Sequence, residues 1–296
     1  MKKTIISCVL FLTAVTAFSQ TPMKTAAEAK LSASDLAVKI ADRILATTTY
    51  EFKNTKTGKT YKSVKNLPLD MNVKVACKYN NWHYTNGVTH IALMELADKT
   101  GAKKYDDYVL KNMNFVFNEG NLDFFKKQYE QAMKNEGWYG VRKLSWHMIF
   151  RGKRLDDNGP MGASLIDLQM KHPNNSFLNY INETAEHLNY GEPRLADGTI
   201  ARIWPHENTI WADDAFMAIS FLARMAKMTG DMSYINDAAN QVIKYHKYLW
   251  CPEKRILYHC YHTDTDEHGV AHWSRANGWV FMATADLLAV MPVSYT

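Results

Sequence analysis

From residue 34 onward the apolar residues of this chain recur at three-and-four spacing, in blocks of roughly fifteen to twenty residues, which is the period of an α-helix. Eight blocks begin near Ser34, Gly87, Lys104, Asp157, Ser176, Asp213, Ser233 and Ala276. Strand-like alternation is nearly absent, so the expected fold class is all-α. Three joints between blocks share one pattern, a turn residue followed four positions later by an aromatic: Gly101 to Tyr105, Pro173 to Phe177, and Gly230 to Tyr234. Gly suits a left-handed helix cap and Pro cannot continue a helix, so the blocks pair into hairpins. Hairpins that each expose one apolar stripe must stack on their neighbours, as an open solenoid or a closed ring.

The unusual residues lie between the hairpins, in 80–86, 118–154, 191–212 and 251–275, which are read as loops gathered on a rigid scaffold. With 47% hydrophobic residues, 12% aromatic and eight Trp, one large core is affordable and disorder is excluded. Residues 1–20 run from Lys2-Lys3 through an apolar stretch to small residues, the order of a secretory signal peptide. The expectation is therefore a leader at 1–20, a single domain at 21–296, and a periplasmic or extracellular location without a membrane anchor. Without Lys2 and Lys3 the formal charge of +5 becomes +3, too weak to argue for nucleic acid. Cys77, Cys251 and Cys260 form no disulfide framework or zinc pattern, and Cys251 to Cys260 is the one bridge their spacing leaves open.

Two acidic doublets stand at equivalent points of successive hairpins: Asp156-Asp157 and Asp213-Asp214, each opening an apolar helix. A helix cap alone accounts for one such doublet. Two of them would face each other across the mouth of a helical ring, where neighbouring carboxylates can be driven to different protonation states and share acid and base work. The third constellation is Trp273-Ser274-Arg275-Ala276-Asn277-Gly278-Trp279. An Arg fork clamps a carboxylate and flanking indoles offer flat apolar faces to a sugar ring. Tyr84, His206 and His259 are supporting candidates in the same loops. Metal-ligand spacings, a serine-nucleophile elbow and a phosphate-binding Gly loop are all missing from the sequence, so no metal or other cofactor is expected.

Trp211-x-Asp213 followed by Phe216-Met217, with Trp273-x-Arg275-x-Asn277-Gly278-Trp279 downstream, resembles glycoside hydrolase family 105, the unsaturated glycuronyl hydrolases. The segments Leu155 to Ala163 and Trp82-x-Tyr84-x-x-Gly87 fit the same pattern, so that the likeness covers residues 75 to 291. The resemblance implies an (α/α)6 barrel and removal of a 4,5-unsaturated uronic acid from oligosaccharides left by lyases, through hydration of the enol-ether double bond. It implies Asp213 as catalytic acid and base, Asp156 or Asp157 as the second acid, and Trp211, Met217, Trp273, Arg275 and Trp279 as pocket lining. Tyr84 and His259 are looser members. The implied partner is an unsaturated uronic-acid oligosaccharide. Eight blocks against twelve helices imply that the ring is incomplete and lacks C-terminal helices. A non-catalytic glycan-binding toroid, and an epimerase or lyase on the same fold, are the competing functions.

Overall fold

The computed structural model describes residues 32–152 and 154–295, so the expected signal peptide at 1–20 lies outside the described residues. The chain divides into two compact units, Met1–Ala46 and Thr47–Thr296. The first contributes helix α1 (Ala33–Thr47), opened by a capping box in which Asp35 N–H donates to the Ser32 hydroxyl and Ser32 N–H to the Asp35 carboxylate.

The second unit carries nine helices among the described residues: α2 (Tyr84–Thr100), α3 (Lys104–Val116), α4 (Glu119–Val141), α5 (Met148–Arg151), α6 (Leu155–Lys171), α7 (Asn175–Glu186), α8 (Ala212–Thr229), α9 (Met232–Leu249) and α10 (Ser274–Val290). All eight sequence blocks become helices that start within three residues of their expected positions. The segment 118–154, read above as a loop, instead holds α4 and α5. Its apolar face is short: Phe124, Phe125 and Ala132 are buried along with Gln128, and the chain kinks at Gly137, where φ is 59°. Glu119 to Val141 therefore carries too thin a stripe for its periodicity to stand out. At the joints, Gly101 and Gly230 adopt φ of 71° and 75° and return their N–H groups to Ala97 and Ala226, as a left-handed cap requires. His172 ends α6 at φ −137° and ψ 77° instead, and Pro173 follows.

Helices α2, α6, α8 and α10 pack side by side in that order, while α3, α7 and α9 return along the outside of the first three. The helix at the middle of this row, α8, is buried at every position from Ala212 to Ala226, as expected of a segment apolar on all sides and rich in Ala. The row is parallel and in register. Asp167, Arg224 and Asp286 each stand twelve residues past the start of α6, α8 and α10, and Arg224 bonds both carboxylates, Nε to Asp167 at 2.7 Å and Nη1 to Asp286 at 2.6 Å. Two glycines set the closeness of the row. A Cβ on Gly159 would lie 1.9 Å from the Met217 carbonyl oxygen, and one on Gly87 would lie 2.3 Å from the Pro160 carbonyl carbon. Backbone therefore meets backbone at both contacts.

Short strands dress the N-terminal ends of these helices. Strand β4 (Thr209–Trp211) pairs antiparallel with β7 (Cys260–His262), which pairs with β8 (Glu267–His268). Strands β5 (Trp250–Cys251) and β6 (Ile256–Leu257) form a ribbon, and β1 (Phe52–Asn54) lies between β2 (Thr60–Tyr61) and β3 (Val73–Val75). Cys251 and Cys260 are unbridged: Cys251 Sγ turns to Glu253 and Cys260 Sγ to His262.

Candidate active site

Parallel inner helices deliver their N-termini to one end, and the acidic doublets open two of them. Within each doublet the two residues part company. The second Asp is buried and held by an Arg fork from the preceding segment, the end of α5 in one case and a loop in the other: Arg151 grips both oxygens of Asp157, and Arg202 donates to Asp214 through Nε at 2.7 Å and Nη2 at 2.6 Å. The first Asp is left for chemistry. Asp156 keeps 36% of its side chain exposed, with Arg202 Nη2 3.9 Å away. On the geometry, Asp156 faces the open end and Asp157 does not.

Asp213 holds its carboxylate between two groups from the next hairpin. His259 Nε2 lies 2.8 Å from Oδ2, and Arg275 Nη2 donates to Oδ1 at 3.2 Å. The sheet explains how His259 arrives from so far along the chain. The β4–β7 register sets Trp211 opposite Cys260, and one step further Ala212 N–H donates to the His259 carbonyl at 2.9 Å. Arg275 is placed by Asn277 of its own motif, whose side chain accepts from Leu257 N–H at 2.8 Å and donates to Leu257 O at 3.0 Å. Asn277 is thus a structural tie between α10 and β6.

Aromatic rings complete the surround. Trp211 stacks under the Arg202 guanidinium at 4.2 Å and meets the His259 ring edge-on at 5.1 Å. Trp273, half exposed, lies parallel to His259 at 6.1 Å, with Arg275 over its ring at 5.4 Å. Trp279 packs on Phe216 at 4.9 Å, supporting the site from behind. Met217 is 2% exposed and belongs to the core, so it does not line the open mouth in this structure. The His206 ring neighbours His262 at 5.7 Å. Tyr84 stands at the start of α2 with its ring 4.6 Å from that of His83. His83 caps that helix by accepting from Thr85 N–H, and burial holds its imidazole below the usual value.

Sequence reasoning missed Arg151 and Arg202, the two clamps. One precedes its Asp by six residues and the other by twelve, so no common spacing betrays their common role. It also missed Glu192, whose carboxyl is 3.0 Å from His187 Nε2 and is pushed up to about 8, chiefly by burial and then by the neighbouring Asp214.

A row of parallel helices with acidic N-termini, an Arg fork and exposed indoles at one end has the groups that carbohydrate chemistry needs. Residues 56–296 match the model of Glycosyl Hydrolase Family 88, and the chain belongs to that family. It is 25% identical over 203 residues to the unsaturated rhamnogalacturonyl hydrolase YesR of Bacillus subtilis (strain 168), a match covering 62% of this chain and 56% of that one. Two solved structures share the fold. A possible member of family 105 from Klebsiella pneumoniae subsp. pneumoniae MGH 78578 has a TM-score of 0.58 at 15% identity, covering 90% of this chain and 61% of that one. A family 105 glycoside hydrolase from C. acetobutylicum ATCC 824 has a TM-score of 0.57 at 22% identity, covering 79% and 58%. The chain thus spans under two thirds of the length of these relatives.

Proposed function

We propose that this protein is a glycoside hydrolase that removes a 4,5-unsaturated uronic acid from the non-reducing end of lyase-generated oligosaccharides, working outside the cytoplasm as its leader-like residues 1–20 suggest. The observation that carries the reading is the Asp213 carboxylate, fixed at a helix N-terminus by His259 at 2.8 Å and Arg275 at 3.2 Å, with the rings of Trp211 and Trp273 against that of His259.

In this reading Asp213 in its acid form gives a proton to C4 of the unsaturated ring. The resulting carboxylate then takes a proton from the water that adds at C5, which restores the acid. The hemiketal so formed opens and releases the remaining sugar. His259 and Arg275 fix the rotamer of Asp213, and Asp156 is the second acidic group at the mouth. Arg275 spends one N–H on Asp213 and has 52% of its side chain exposed, so it has donors left for the uronate carboxylate. The name of the Bacillus relative supports rhamnogalacturonan fragments as substrate.

The test is to mix the full chain with lyase-digested pectin and follow the ultraviolet absorbance of the conjugated uronate. Loss of absorbance at a rate set by enzyme concentration is the expected result. Absorbance that stays constant with folded protein present would overturn the assignment.

A further inference from the structure

Beside the mouth, three carboxyl groups crowd round one guanidinium. Asp156, Glu192 and Asp214 line a common hollow together with Arg202. Arg202 gives Nε and Nη2 to Asp214, has Asp156 3.9 Å from Nη2, and makes no hydrogen bond through Nη1 among the described residues. We propose that Glu192 is a positioning residue for the two acidic helix starts: while it carries a proton, Arg202 stays between Asp214 and Asp156 and over Trp211, and once the proton leaves, Glu192 draws Arg202 away from Asp156. The effect on turnover rests on the hydrolase reading, whereas the movement of Arg202 does not.

The local chain is shaped to bury this carboxyl. A single π turn, His187–Gly191, follows α7 and brings the His187 side chain back to residue 192. A Cβ on Gly191 would lie 2.7 Å from His187 Nδ1, so a side chain there would push the imidazole aside. Glu192 N–H donates to the His187 carbonyl at 2.8 Å, and the Glu192 carboxyl lies 3.0 Å from His187 Nε2. The Glu192 side chain is 8% exposed, and among the described residues no Arg or Lys grips it.

The surrounding charges leave Glu192 as the group that must stay neutral. Asp214 on α8 has both oxygens on Arg202, and Asp156 on α6 keeps contact with solvent. Arg194 is committed to Asp237 of α9 through bonds of 2.9 and 2.8 Å, and Arg154 is exposed, over the Trp204 ring at 4.8 Å. Burial keeps the Tyr245 phenol of α9 protonated. A third carboxylate in this space would have no counter-charge of its own, so the buried one is most stable as the acid. Its pKa is accordingly pushed up to about 8, by burial first and then by Asp214. Once ionised it competes for Arg202, whose Nη1 donors are uncommitted. Any shift of that guanidinium is felt by the Trp211 ring 4.2 Å away.

The experiment follows the Trp211 indole N–H resonance of the full chain from pH 6 to 9, identified by its loss in Trp211→Phe. That N–H is buried, which slows its exchange at high pH. The expected result is a step with its midpoint at about 8 in the parent, missing from Glu192→Gln. The Cys260 thiol opposite Trp211 is raised by burial and titrates above this window. A parent without the step would overturn the proposal, and that measurement needs only the parent to fold. So would a step that survives in Glu192→Gln. Turnover of an unsaturated disaccharide is read in parallel, as the ratio of the parent's kcat/KM to the variant's. The limb belonging to Asp213 is common to both and divides out, so the ratio should fall about tenfold between pH 7 and 9, as the protonated fraction of a group with midpoint 8 does. A ratio that is flat with pH would make Glu192 purely structural and overturn the positioning role. A Trp211 step that follows Glu192 in a protein that hydrolyses nothing supports the movement of Arg202 and sinks only the reaction.

Discussion

The two ends of the inner helices are built from the same kinds of residue and treat them differently. At the C-terminal end Arg224 meets Asp167 and Asp286 in register across three helices, and Ser220 donates its hydroxyl to Asp286 at 2.9 Å. There one buried guanidinium serves two carboxylates, whose side chains are 20% and 25% exposed. At the N-terminal end the second Asp of each doublet is gripped in the same way, by Arg151 and Arg202, while the first meets an Arg that is more exposed or more distant. Asp213 shares an Arg whose side chain is 52% exposed, and Asp156 has Arg202 Nη2 3.9 Å away. Saturated charge pins the helices together. Charge left partly unsatisfied is what can bind and move protons.

The contrast can be broken most severely at Asp213. Asp213→Asn should lower turnover of an unsaturated disaccharide roughly 100- to 10,000-fold, because an amide cannot deliver the proton. Its melting temperature should stay near that of the parent, and an intact rate would remove Asp213 from the mechanism. At the other end, Arg224→Met should leave Asp167 and Asp286 facing each other without their cation. Thermal or urea unfolding should show a loss of about 3 kcal/mol, with turnover per folded molecule retained.

Glu192 sharpens the comparison through pH. Its folded pKa is raised from 4.5 to about 8, so the folded state binds the proton more tightly than the unfolded chain. Stability from this group is full below pH 4.5 and falls as pH rises towards 8. Glu192→Gln, which carries no proton to lose, should flatten that slope in unfolding curves recorded from pH 5 to 9. The smallest expected effect is at Arg275. Arg275→Lys should weaken uronate binding about tenfold, more than it weakens binding of a neutral analogue. Equal losses would make Arg275 a purely structural partner of Asp213.

Much of this was legible in the sequence because helical periodicity is a local signal. Blocks with broad apolar stripes, such as 212–226, read as helix to within three residues of their observed starts, whereas α4, whose stripe is thin and interrupted by Gly137, reads as loop. Trp211, Asp213, Trp273 and Arg275 could be picked out because chemistry-bearing residues stood at fixed spacing around helix starts. The choice between Asp156 and Asp157 could not be made in one dimension. It depends on Arg151, whose fork seals the second carboxylate only once the intervening turn has folded. His259 was a loose candidate for the same reason. Its partnership with Asp213 is created by a three-residue strand pairing that leaves almost no trace in composition.

The contact at Gly159 bears on how such a protein can change over time. Because that glycine abuts the Met217 carbonyl with no room for a side chain, the ruler between Asp156 and Asp213 is made of backbone alone. Drift in the surrounding core cannot stretch or shorten it by swapping one apolar group for another. A lineage built this way inherits a fixed gauge between its two acidic helix starts. Novelty in what the mouth accepts must then accumulate in the loops around Glu192, His206 and Trp273, where insertions are tolerated and the gauge is undisturbed.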